Sequence, residues 1–405
     1  MEKLKKTPLS RILSLLLAIC IAAGFVPLID YSAFAVDSET TIGEIADGAP
    51  RSGNGWKWDG AGTLTLYGTE LKSKDDSTPK ISYSGETLTI NVKGYNRVTG
   101  NSLLAKVGEW KKINITGSGI LESDSTSALF SGLEVIVEDT LIKAPNAKLF
   151  DTAANLTHNS GYLEIRTLNV SYISMTSGVI KCGTLLSSGN IKHNGGVFYV
   201  ETLNTEKKST INCDNSAILK VNTIGDGADY FIYRLGKSIL ISGINIDSHV
   251  TDSKGKGTAV DNLYVYCNMV VSDTVKEIYD SNGIESFYYA ADSVKVGNNV
   301  TFSGAVYFAG SALAKNYSNF TVAEGATVAG DEFSGHGASK TTIGASSTMC
   351  FNKNLQLQNA TVNGGVYGCL TYGTNQGTTL QNSTIEATGS VYSLNNHSTF
   401  WDCTI

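Results

Sequence analysis

The chain has 405 residues, with 31 Lys+Arg against 37 Asp+Glu, 42 Gly, 5 Pro and only 17% charged residues. This mildly acidic balance argues against nucleic acid and anionic membrane as partners. Abundant Gly, Ser, Thr, Asn, Val and Ile disfavour a helical fold and favour short strands. β-Branched residues pack on a pleat, while Gly and Asn accept the left-handed backbone that turns require.

At the N-terminus Lys3, Lys5, Lys6 and Arg11 precede the apolar run Ile12 to Ile29, which reaches Ala33-Phe34-Ala35. A basic segment, an apolar core and a small-x-small exit predict a secretory signal peptide over residues 1–35, cut between Ala35 and Val36. The run is also long enough for a membrane anchor, but Gly24, Pro27 and the Ala-Phe-Ala exit favour cleavage. Ile19 ahead of Cys20 disfavours a lipoprotein. Cleavage takes four of the 31 basic and two of the 37 acidic residues, leaving a net charge of −8. No later apolar run approaches spanning length. The expectation is a soluble mature chain, secreted or held at the cell surface, with no membrane partner.

Residues 36–60 show few strand signals and contain Trp56-Lys57-Trp58. They read as a cap over a sheet end that would otherwise invite aggregation. From residue 61 the chain repeats. Leu64-Thr-Leu66, Leu88-Thr-Ile90 and Ile113-Asn-Ile115 stand 24 and 25 residues apart.

The stretch Trp56-Lys-Trp-Asp-Gly-Ala-Gly-Thr-Leu-Thr-Leu-Tyr-Gly68, with Gly85-Glu-Thr-Leu-Thr-Ile-Asn-Val-Lys-Gly-Tyr-Asn96, resembles the opening of secreted right-handed β-helix proteins of Gram-positive bacteria. These belong to the carbohydrate-binding β-helix or pectate-lyase-like group. The resemblance covers residues 53–125 and is architectural beyond them. It implies an exported protein facing polysaccharide, and it transfers no site residue.

The middle repeat is clearer. Gly161-Tyr-Leu-Glu-Ile-Arg-Thr-Leu168 recurs as Gly178-Val-Ile-Lys-Cys-Gly-Thr-Leu185, Gly196-Val-Phe-Tyr-Val-Glu-Thr-Leu203 and Ala217-Ile-Leu-Lys-Val-Asn-Thr-Ile224, at offsets of 17, 18 and 21. Near the C-terminus Leu357-Gln-Asn-Ala-Thr-Val362 matches Leu380-Gln-Asn-Ser-Thr-Ile385 and Phe400-Trp-Asp-Cys-Thr-Ile405, at offsets of 23 and 20. A period near twenty is the length of one coil of a parallel β-helix, in which like residues stack at about 4.8 Å. An antiparallel sandwich would instead show turns every 8–12 residues without long register. The fold class is therefore all-β, a right-handed parallel β-helix over residues 61–405, of about seventeen coils and about 80 Å. Leu163, Ile180, Phe198 and Leu219 should form one internal stack, each coil alternating an inward apolar position with an outward variable one. Asn359, Asn382 and Asp402 share one repeat position, as a hydrogen-bonded ladder or as turn residues. Residues 270–296 break the rhythm and read as a lateral loop or short helix. The chain stops mid-repeat at Ile405, which suggests truncation.

Cys182, Cys213, Cys267, Cys350, Cys369 and Cys403 show no metal spacing. They read as buried thiols, with Cys350–Cys369 the best disulfide candidate. Many β-helices are pectin-active enzymes, but little chemistry is visible here. Gly335-His336-Gly337 resembles an element of polygalacturonase-type hydrolases, yet the only Asp-Asp pair, Asp75-Asp76, lies far upstream, and no arginine follows Arg234. Paired carboxylates are indispensable to that reaction, so Gly335-His336-Gly337 reads as a turn and no catalytic residue is assigned. His158, His193, His249, His336 and His397 form no metal pattern. No cofactor is required. Ca²⁺ is admitted at Asp226 with Asp229, or at Asp331 with Glu332, as hard oxygen ligands.

Sugar binding asks less, namely exposed rings for stacking and polar groups for hydroxyls. Trp56 and Trp58, and Phe287, Tyr288 and Tyr289, are the candidates, with burial in the cap or at a loop base as the alternative. The leading expectation is a non-catalytic protein that binds an extracellular polysaccharide, pectin- or cellulose-like. A structural stalk or adhesin on a host surface comes second, and a polysaccharide lyase or hydrolase third.

Overall fold

The computed structural model describes residues 39–404, apart from 204–208, 225–229, 235–238, 243–258, 267–270, 370–376, 386–397 and scattered positions of one to three residues. The leader lies outside this range. Every described element is a strand, and most pair in parallel with the strand one coil away.

Leu163, Ile180, Phe198 and Leu219 lie in register on Tyr162–Met175, Val179–Ser187, Asn190–Leu203 and Ser209–Ile224, and all four are fully buried. The Thr-Leu endings keep the register as well, and Leu168, Leu185 and Leu203 are buried in a second column. Removing each such side chain from water contributes about 1.5–3 kcal/mol, so the column is a main source of stability. In the C-terminal series Leu357 faces Leu380, and Leu380 faces Phe400. The N-terminal series is shifted at one step. Leu88 faces Ile113, but Leu64 faces Ile90 and not Leu88. A slip of two residues keeps the same side chains inward, so the alternation alone could not reveal it.

Where residues 270–296 are described, they carry strands of the coil stack and not a lateral loop or helix. Val271–Ser272, Glu277–Ile278, Ile284–Tyr289 and Ser293–Val296 pair in parallel within the coil stack. Their inward positions are filled by Ile278, Val294 and Val296, a pattern too short in each strand to stand out. Asn359, Asn382 and Asp402 all adopt left-handed backbone, with φ of 50°, 49° and 50°. Asn and Asp tolerate this conformation best after Gly, so the position is a turn. Asn359 adds an inter-coil bond, its Nδ2 donating to the Ala338 carbonyl at 2.7 Å.

The coils do not form one rod. They belong to a 24-stranded sheet up to Leu263–Tyr266 and a 14-stranded sheet from Val271–Ser272 onward, and the two stacks pack against each other. On the first, the outward column Leu141, Tyr162, Val179, Val197 and Ile218 is buried against Ala305, Tyr307, Ala329 and Cys350 of the second. The position expected to be outward and variable is uniformly apolar because it is covered. Polar bonds tie the seam together. Thr348 Oγ1 accepts from the Gly178 amide at 3.2 Å, and Thr327 Oγ1 accepts from the Gly196 amide at 3.1 Å and donates to the Ser216 carbonyl at 2.7 Å. Rising numbers on one side meet falling numbers on the other, so the stacks run antiparallel.

This arrangement removes the expected disulfide. Cys350 faces Gly368, while Cys369 faces Phe351. One residue of offset on a strand reverses the face, so Cys350 points into the seam and Cys369 into the second core. Cys182, Cys350 and Cys369 are free thiols. The side chains of Cys213 and Cys267 lie outside the description.

Candidate functional site

The tryptophans are interior. Arg51–Gly53, Trp56–Trp58 and Thr63–Tyr67 form an antiparallel meander, the last strand of which pairs in parallel with Thr87–Lys93 of the stack. Trp56 lies opposite Leu66 and Trp58 opposite Leu64, and both rings are buried. The Trp58 indole N–H donates to the Ala46 carbonyl at 3.1 Å, and its ring meets Tyr83 edge-on at 5.4 Å. Spacing of two places both rings on one face, and that face is the core, so neither is free to stack on a sugar. Tyr289 is also buried, between Phe287 at 5.6 Å and Phe308 at 5.2 Å, with Phe287 half-buried. Tyr288 holds the register of Tyr307. Its side chain lies outside the description.

Asp226 and Asp229 also lie outside the described residues. Asp331 and Glu332 fall on Thr327–Ser334. Asp331 accepts from Asn352 Nδ2 at 2.8 Å and lies 3.8 Å from Lys353 Nζ. Among the described residues, no group of three or more His, Cys, Asp or Glu is placed to hold a metal ion. Gly335 and Gly337 form a turn, in which the Ala338 amide donates to the Gly335 carbonyl at 3.1 Å and Gly337 has φ 93°. His336 lies outside the description. His158 and His193 sit inside the first stack, fully buried, and burial holds them at about 3 and about 4 against the ordinary 6.5. They are neutral core residues.

Two surfaces present polar side chains in register. One is an outer face of the second stack. Thr301, Thr321, Thr342, Thr361, Thr384 and Thr404 stand in register there, each outward and at least partly exposed. Two positions before each stands Asn299, Asn319, Lys340, Asn359, Asn382 or Asp402, on the same side of the strand or in its leading turn. The coil spacing makes this double column about 24 Å long. In the turn leading into Asn319–Val322, beside the second of the six rungs, Tyr317 is 84% exposed with φ 62°. It borders a hollow of about 370 Å³ lined also by Asp280, Asn298, Lys315 and Asn316. Tyrosine is a poor choice for left-handed backbone. Tyr317 carries no signal in the sequence, since a single tyrosine shortly before Phe320 reads as part of a strand core. The N-x-T spacing recurring at the coil period was the available signal for the double column.

The other surface is a groove of about 360 Å³ beside the seam, lined by side chains of both stacks. An outward column of the first stack, Glu122, Lys143, Glu164, Lys181, Tyr199 and Lys220, runs in register into it. Its signs alternate until Tyr199. Glu164 pairs with Lys181 at 2.8 Å. Lys143 is displaced downward by burial, which Glu122 and Glu164 oppose.

No protein-family description, no curated protein and no solved structure matches the chain.

Proposed function

We propose that this is an exported, non-catalytic β-solenoid of the cell surface or extracellular space that binds polysaccharide. The observation that carries the reading is the Asn/Thr double column with Tyr317 beside its second rung. Side-chain amides and hydroxyls repeated at about 4.8 Å supply donors and acceptors along a line, which suits an extended chain of sugars lying along the solenoid axis. An exposed ring offers the apolar contact that sugar faces need. Ca²⁺ is admitted but no step depends on it. The spacer reading is disfavoured by the fold-back, which shortens the rod that a stalk would need.

The test is retention of the mature chain on insoluble cellulose and pectin, with and without Ca²⁺, beside a Tyr317→Ala variant. Loss of one stacking ring should weaken retention about tenfold, since ring stacking and its buried area are together worth about 1–2 kcal/mol. Retention unchanged in Tyr317→Ala, or no retention on either polymer, would remove this reading. New reducing ends or unsaturated uronate in the supernatant would favour an enzyme instead.

A further inference from the structure

The seam groove has its own chemistry, separate from the face that carries Tyr317. Its carboxylates are already committed. Glu164 is held by Lys181, and Glu201 is also engaged. Asp331, next to the groove residue Asn352, is bonded to it and faces Lys353. Two cations are not neutralised in this way. Among the described residues Arg166 donates only to the Thr126 carbonyl, at 3.3 Å. Lys220 has no carboxylate within ion-pairing distance among the described residues.

Lys220 is nonetheless held in place. Its ammonium lies 5.9 Å from the ring centroids of both Tyr199 and Tyr307, and it donates to the Tyr307 hydroxyl at 3.4 Å. Tyrosine faces attract a cation and fix its position without cancelling its charge. Tyr199 supplies a second unmet group. The residue is only 9% exposed, and its hydroxyl oxygen is wholly buried without a hydrogen-bond partner. Such a group is costly unless something meets it. A locally cationic hollow on a chain of net negative charge runs against the overall field, which points to a specific anion and not to general attraction.

We propose that the seam groove binds a hydroxylated carboxylate of about monosaccharide size, with the Lys220 ammonium as its principal counter-charge. Arg166 lies near the rim as a second cation, and Tyr199 and Tyr307 position Lys220. The volume suits one small polar ligand. The paired Glu164 and Lys181 and the Asn352 amide offer acceptors and donors to its hydroxyls. Because Lys220 and Tyr199 come from one stack and Tyr307 and Asn352 from the other, the site exists only where the two stacks meet.

The experiment is calorimetric titration of the mature chain with D-gluconate, D-glucose and inorganic phosphate. D-Gluconate should bind saturably, and D-glucose should bind at least tenfold more weakly because it lacks the carboxylate. Lys220→Met should lower D-gluconate affinity at least tenfold, and Lys220→Arg should retain most of it. Circular dichroism melts of each variant verify folding, and the Lys220→Arg result keeps the test decisive if Lys220→Met is unstable. Equal binding of glucose and gluconate, undiminished binding in Lys220→Met, absence of gluconate binding, or a clear preference for phosphate would each overturn the assignment.

Discussion

Replacing Gly178 by Ala tests the coil stack directly. Gly161, Gly178 and Gly196 head successive copies of the middle repeat, each with positive φ, at 91°, 79° and 79°. A Cβ at Gly178 would lie 2.5 Å from the Gly161 carbonyl oxygen and 2.8 Å from its nitrogen. Ordinary contact begins near 3.4 Å, so the coils would have to part by roughly an ångström at a backbone atom that cannot swing aside. The bonds at risk are Val179 N–H to Gly161 O, Val197 N–H to Gly178 O, and Gly178 N–H to Thr348 Oγ1, at 2.9, 2.9 and 3.2 Å. Each is worth about 1 kcal/mol net. Left-handed backbone adds about 1–2 kcal/mol for Ala, offset by about 0.4–1 from the stiffer unfolded chain. The expected loss is about 3–4 kcal/mol. Gly94→Ala is the control, because it has φ 62° and its Cβ would meet nothing within 4 Å. It should cost only about 1 kcal/mol. Urea denaturation of the mature chain, followed by circular dichroism, measures both. If the two variants fall within about 0.5 kcal/mol of each other, close coil-on-coil contact is not what makes Gly178 necessary.

Three further outcomes are expected. Thr327→Val should destabilise by about 2–4 kcal/mol, because the Gly196 amide and Ser216 carbonyl lose their partner inside the seam, and hydrogen exchange at Gly196 should quicken. Unchanged exchange there would count against the seam. His158 and His193 have folded values depressed to about 3 and about 4, so the unfolded chain binds more protons between those values and 6.5. Their neutral burial therefore contributes fully above pH 6.5, and stability falls as pH drops from there toward 4. With both present the slope approaches about 2.7 kcal/mol per pH unit, and His158→Leu should roughly halve it in denaturation measured at pH 5 and 6; an unaltered slope would show that His158 is not buried neutral. Cys182, Cys350 and Cys369 are buried, and burial raises their thiols, Cys369 to about 12. All three should resist a thiol reagent until denaturant is added, and prompt labelling of any by mass spectrometry would contradict this packing.

The coil was legible because stacking forces like residues to return at like positions. Leu163, Ile180, Phe198 and Leu219 could be matched from letters alone, since each inward site sees only the site above and below. The Leu64 shift escaped because a two-residue slip leaves the inward set intact. Residues 270–296 escaped because strands of two to six residues are too short to show a period. The seam leaves a trace in the sequence. Leu141-Ile142, Tyr162-Leu163, Val179-Ile180, Val197-Phe198 and Ile218-Leu219 are doublets, apolar on both faces of a strand, which marks a strand covered on both sides. A spacing of two puts Trp56 and Trp58 on one face of a strand, but the letters do not say whether that face is inner or outer. Trp56 and Trp58 share the inner one.

The fold-back bears on function more than the solenoid itself does. A single rod presents each outward column to water, where a ladder such as Glu122, Lys143, Glu164 and Lys181 is a screened surface feature worth little. Docking a second stack beside it sets Tyr307 and Asn352 against the first stack's Lys220 and Tyr199, at the point where the alternation of signs ends. The same docking buries Leu141, Tyr162, Val179, Val197 and Ile218. Apolar burial is the large term and holds the stacks together, whereas the polar groups at the rim contribute little to cohesion and remain available to a ligand. Substitutions in the apolar column should therefore cost stability, and substitutions at Lys220 should cost recognition. That division separates a binding groove from a mere packing defect between two solenoids.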